Sequence, residues 1–122
     1  MENHGYQQYK SQSVMTMTAG EMLLLLYDEL GKRLMRAELA LKKENYDLFD
    51  ASVQRCVDIV QYLKDTLDFN YEISFELSRM YDFFLYQLSR LSAGRNPQIV
   101  EELHPLVKEL RDAFDQASKL AK

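Results

Sequence analysis

Between positions 46 and 67 the apolar residues alternate steps of three and four without a break: Tyr46, Phe49, Val53, Cys56, Val60, Leu63 and Leu67. Only a helix lines such residues up on one stripe, and strict alternation marks helices packed at a shallow angle. Val57 and Ile59 widen the stripe, and Asn45 precedes it as an N-cap. The spacing predicts a helix over 46–68. A helix of this kind is stable only against others like it, so the question becomes how many the chain supplies.

Three more segments carry the helical period. The first runs over 19–43, with a stripe of Leu23, Leu26, Tyr27, Leu30, Leu34, Ala37 and Leu41. Thr18 and Glu21 form a capping box at its start. Gly31 lies inside it at a cost of about 0.5–1 kcal/mol against Ala, and reads as a close approach of a neighbouring helix. Another helix runs over 72–92, with Ile73, Leu77, Met80, Tyr81, Phe84, Leu88 and Leu91 toward the core. The last follows Gly94, which ends the helix before it, Asn96, which caps, and Pro97 at the first helical position. Its stripe is Ile99, Leu103, Leu106 or Val107, Leu110, Phe114, Ala117 and Ala121. Pro105 falls inside it and predicts a kink, or else a restart at His104. The breaks between helices are short, so neighbours in sequence run antiparallel. The fold expected is an all-α, up-down-up-down four-helix bundle over 18–122, preceded by an extended arm over 1–17.

The charge excludes one class of partner. A net charge of -4 and no dense run of Lys and Arg argue against nucleic acid. Cys56 is the single cysteine, which rules out an internal disulfide, and it falls on an apolar stripe as a core side chain. The N-terminus has neither the basic start nor the apolar middle of a signal peptide, and the longest apolar run is too short to cross a membrane. A soluble, cytoplasmic protein is expected, without membrane insertion.

Catalytic groups are scarce. Glu101 and His104 have the spacing of one ligand pair of a di-iron bundle, but such a site needs two pairs and two further Glu residues. His104 is also the one helical candidate for a phosphate-accepting histidine, yet Pro105 follows it directly. Neither metal, cofactor nor enzyme activity is expected. What remains is surplus apolar surface. Met22 to Tyr27 are apolar at every position, and Phe75, Phe83 and Tyr86 form a second stripe beside the core stripe of their helix, with Arg79 between. Met22, Leu25, Phe75, Phe83 and Tyr86 are therefore the candidate binding residues for an apolar segment, since Met adapts and aromatics supply area at low entropic cost. The alternative is that they fill a thick core or a dimer seam. The arm carries apolar beads, among them Tyr6, Tyr9 and Val14, and is read as a cover for this surface.

The stretch Tyr9-x4-Val14-x-Thr16-x-Thr18-x-Gly20-Glu21-Met22-x3-Leu26-Tyr27-Asp28 resembles the N-terminal signature of the flagellin-specific export chaperones, the FliS family. Met80-Tyr81-Asp82-Phe83-Phe84 resembles a second motif of that family, and Leu110-Arg111-Asp112-Ala113-Phe114 a third, in order and at the right spacing. Met17, Ala19 and Glu29 depart from the pattern, as does Tyr86-Gln87-Leu88 where the family is rich in Arg. The resemblance implies a four-helix chaperone that holds the disordered C-terminal segment of flagellin and delivers it to the flagellar type III export gate. It places docking to that gate in the arm, at Tyr6 and Tyr9. A monomer or weak homodimer is expected. A homo-oligomeric structural bundle and a phosphotransfer domain are the competing readings.

Overall fold

The computed structural model describes residues 19–120, apart from the side chains of Ser118 and Leu120. Four helices make up the described chain: α1 (Ala19–Lys42), α2 (Tyr46–Asp65), α3 (Ile73–Gly94) and α4 (Pro97–Leu120). Each packs against its neighbours in a ring: α1 on α2, α2 on α3, α3 on α4 and α4 back on α1. The diagonal pairs make no direct backbone approach. Asp28 near the start of α1 reaches Arg111 near the end of α4, so these helices are antiparallel. Lys64 late in α2 likewise reaches Asp82 in α3. This is the antiparallel four-helix bundle expected from the periodicity. The capping box at Thr18, the arm and Ala121 lie outside the described residues.

Both short turns lie at one end of the bundle. Asn45 Oδ1 accepts from the Leu48 amide at 3.2 Å and caps α2. Before it, the Asn45 amide donates to the Ala40 carbonyl and the Glu44 amide to the Leu41 carbonyl. This pair of bonds satisfies the last carbonyls of α1 and requires a left-handed residue, which is Glu44 at φ 56°. The α3–α4 turn also uses a left-handed residue, Arg95 at φ 53°, here with a single bond from its amide to the Leu91 carbonyl. Gly94 therefore stays helical, and the expected Gly94 stop falls one residue later, on Arg95. The Arg95 guanidinium lies 4.1 Å from the centre of the Tyr46 ring, an attraction that helps hold a non-glycine residue there. Asn96 caps α4 through the Gln98 amide at 3.0 Å, as its position in sequence predicts.

The core is built from Tyr27, Leu30, Leu34, Ala37 and Ala40 of α1, Phe49, Val53, Cys56, Ile59, Val60 and Leu63 of α2, Tyr81, Phe84, Leu88 and Leu91 of α3, and Ile99, Val100, Leu103 and Val107 of α4. Leu23, Leu26, Leu41, Leu67, Leu77, Leu110 and Phe114 pack half-buried against it, and four expected core residues are exposed instead. Tyr46 and Ile73 are exposed because each is the first residue of its helix, at an end of the bundle where neighbouring helices give out. Met80 is 38% exposed on the flank of α3 toward α4, the pair of helices in thinnest contact. Ala117 is exposed in the last turns of α4. α2 ends at Asp65 rather than at 68, where Thr66 Oγ1 takes the Tyr62 carbonyl at 2.9 Å. α4 passes through Pro105 as one helix, with no restart at His104.

Candidate binding surfaces

The motif residues are framework. The hydroxyls of Tyr27 and Tyr81 are hydrogen-bonded to each other across the diagonal of the bundle, both fully buried. Burial pushes both phenols above the ordinary tyrosine range, Tyr27 the further. The Tyr27 ring lies 5.5 Å from that of Phe114. One residue along, Asp28 accepts from Arg111 Nε at 3.0 Å. Asp82 pairs with Lys64 at 2.6 Å. The three motif stretches thus meet around one clamp that joins α1, α3 and α4. Glu29, which stands where the family pattern has Gly, bonds Arg33 one turn on at 2.7 Å, and that bond lowers its carboxyl.

The candidate binding residues lie off this clamp, although Met22 and Phe83 belong to the motif stretches themselves. Phe75, Phe83 and Tyr86 are 54%, 43% and 63% exposed, so the second stripe of α3 is surface and not core. With Arg79 they step by four, four and three, which at about 100° per residue keeps them on one outward face. The face continues into the α2–α3 connection, where the Phe69 ring packs 5.1 Å from Phe75. That connection is tied down by Asp68, whose carbonyl accepts from Ser74 Oγ at 2.6 Å. Leu25 is exposed and Met22 half-buried on α1, the helix diagonal to α3. The five residues therefore form two separate surfaces: the aromatic face of α3, and a smaller one on α1. Tyr6, Tyr9 and Val14 lie outside the described residues.

Sequence reasoning missed a groove of about 860 Å³ between α1 and α4. Gly31, Met35 and Leu39, one helical turn apart, line it from α1, and His104 and Val107 from α4. A Cβ placed on Gly31 would lie 3.7 Å from His104 Nε2, an ordinary contact with a side-chain tip. Gly31 thus marks an open groove floor rather than the tight helix approach expected of it. The signal in the sequence was Met35 and Leu39, both off the core stripe. Among the described residues no group of His, Cys, Asp and Glu is arranged to hold a metal ion, and no helix is long and apolar enough to cross a membrane.

The antiparallel bundle thus buries Tyr27 and Tyr81 of its motifs at the centre of the clamp and leaves Phe75, Phe83 and Tyr86 on the outer face of α3. The pattern of the family described as Flagellar protein FliS matches residues 1–121, and the chain belongs to that family. It is similar to the flagellar secretion chaperone FliS of Bacillus subtilis (strain 168), at 30% identity over 112 residues, covering 92% of this chain and 84% of that one. It is also similar to the flagellar secretion chaperone FliS of Salmonella typhimurium, at 27% identity over 112 residues, covering 89% and 83%.

Proposed function

We propose that this protein is a cytoplasmic export chaperone that binds the disordered C-terminal segment of flagellin, prevents its premature assembly and delivers it to the flagellar type III export gate. The observation that carries the reading is the exposed aromatic face of α3 on a chain of the FliS family. A disordered client loses conformational entropy on binding, so it needs a long apolar surface in return. Phe75 to Tyr86 span about 16 Å along the helix, enough for several turns of bound chain. The arm, through Tyr6, Tyr9 and Val14, covers apolar surface until the client arrives, and Tyr6 and Tyr9 then dock at the export gate.

The test is a titration with a flagellin C-terminal peptide. Replacing Phe83 and Tyr86 together by Ser should weaken binding at least about tenfold, since two aromatic anchors are removed. The helical circular dichroism should stay unchanged, because both side chains are exposed. Unchanged affinity would exclude the α3 face as the client site. Deleting residues 1–13 should tighten binding modestly, because only the uncovered fraction binds. Several-fold weaker binding by that deletion would make the arm part of the client site instead. If the pure protein is a stable dimer that the peptide does not disturb, the aromatic face is a dimer seam.

A further inference from the structure

The groove between α1 and α4 has a rim unlike the rest of this acidic chain. Five Lys and Arg side chains and three carboxylates line it. The three carboxylates are already committed: Asp28 and Asp112 to Arg111, and Glu38 to Lys42. Lys32, Arg36 and Lys108 are left without an ion pair among the described residues, and all three are exposed. They stand on both sides of the floor, two on α1 and one on α4. The floor between them is apolar and accessible, with Met35 47% and Leu39 52% exposed. An apolar trough with uncompensated positive charge along both edges selects a segment of the complementary pattern.

We infer that this groove is a second docking site, separate from the α3 face. Its occupant is an amphipathic helix of another protein, with acidic residues flanking a narrow apolar stripe. The apolar anchors of that helix, spaced one turn apart, seat against Gly31, Met35 and Leu39. Its carboxylates meet Lys32 and Arg36 on one edge and Lys108 on the other. Gly31 matters here because its missing side chain leaves the middle of the trough open beside His104. The aromatic face of α3 points away from this groove, so client and second partner are held at once. The recognition chemistry differs accordingly: an aromatic face around Arg79 on α3, and an aliphatic floor with basic edges here.

The probe is a synthetic amphipathic helix with Leu on one stripe and Glu on both flanks, fluorescently labelled, compared with its Lys-flanked counterpart. Fluorescence anisotropy with the full chain should show the Glu-flanked peptide binding at least about tenfold tighter, three exposed charge pairs supplying that preference. The preference should shrink as salt rises, because charges at the rim are screened. The triple variant Lys32→Glu, Arg36→Glu, Lys108→Glu should reverse it. Gly31→Leu should weaken both peptides by filling the trough, with helicity retained. Replacing Phe83 and Tyr86 by Ser should leave this binding unchanged. Equal binding of the two peptides, or indifference to the triple variant, overturns the inference. So does displacement of the probe by the flagellin C-terminal peptide, which would make the groove part of the client site. Concentration-dependent dimerisation abolished by the triple variant would identify the occupant as a second copy of this chain, and would also overturn it.

Discussion

The hydroxyl pair of Tyr27 and Tyr81 allows a sharp test of what holds the bundle's diagonal together. Each hydroxyl has the other as its hydrogen-bond partner and both rings are 1% exposed. Tyr27→Phe removes one oxygen and keeps the ring against Phe114. It also strands the Tyr81 hydroxyl in an apolar core. The loss of the bond and the desolvated orphan together cost about 1–3 kcal/mol. Tyr81→Phe does the same from the other side. The double variant leaves no orphan, so its loss should stay near about 0–1 kcal/mol, well below the sum of the singles. The coupling, the two singles summed less the double, should therefore be about 2–5 kcal/mol. The assay is urea unfolding followed by circular dichroism, with thermal midpoints as a check at about 3–5 °C per kcal/mol for a domain of this size. Burial raises both phenols above their ordinary value of 10.0. A raised tyrosine stabilises the fold fully below its unfolded pKa and loses that contribution as pH climbs through the folded one. Wild type should thus lose stability above about pH 10 more steeply than the double variant. If the double variant loses as much as the two singles added together, the rings and not the hydroxyl bond carry the energy.

Gly31→Ala should stabilise the protein by about 0.5–1 kcal/mol in the same urea assay, since the added Cβ meets only His104 at 3.7 Å. Phe49→Ala and Leu63→Ala should each cost about 2–5 kcal/mol, whereas Leu110→Ala should cost less, because Leu110 is only half-buried. Cys56 is fully buried and its thiol is pushed up to about 12, so alkylation at pH 8 should wait on opening of the bundle; stoichiometric labelling within seconds in native buffer would contradict that burial.

The periodicity carried the helices and most of the core. Phe49, Val53, Cys56, Val60 and Leu63 lie where steps of three and four put them. The misreadings share a cause. Tyr46 and Ile73 satisfy the stripe, but at the first position of a helix no neighbour extends far enough to cover them. Met80 satisfies it on a flank where the neighbouring helix is thinly packed. Ile59, on the edge of its stripe, is fully buried because α2 faces two neighbours at once. The aromatic face of α3 was legible, since Phe75, Phe83 and Tyr86 exceed what one core stripe holds. The groove was not, because its basic edge is shared between helices about 70 positions apart in sequence, and no local run of Lys and Arg announces it. The left-handed Arg95 was hidden by Gly94, the residue chemically better suited to end a helix.

The uneven ring of contacts sets how the native state comes apart. α1 is held on both sides, by α2 and by α4, while α3 meets α4 along the thinnest seam. The least costly partial opening is therefore a parting of α3 from α4, with the α1–α2 and α1–α4 pairs still closed. α3 swings on α2 in that opening, through the connection anchored by Asp68. In amide exchange the protons of α3 leave at a lower free energy than those of α1, which exchange only when the whole bundle unfolds. The helix that bears the aromatic face is thus the most loosely bolted of the four, and α1 is the last to let go.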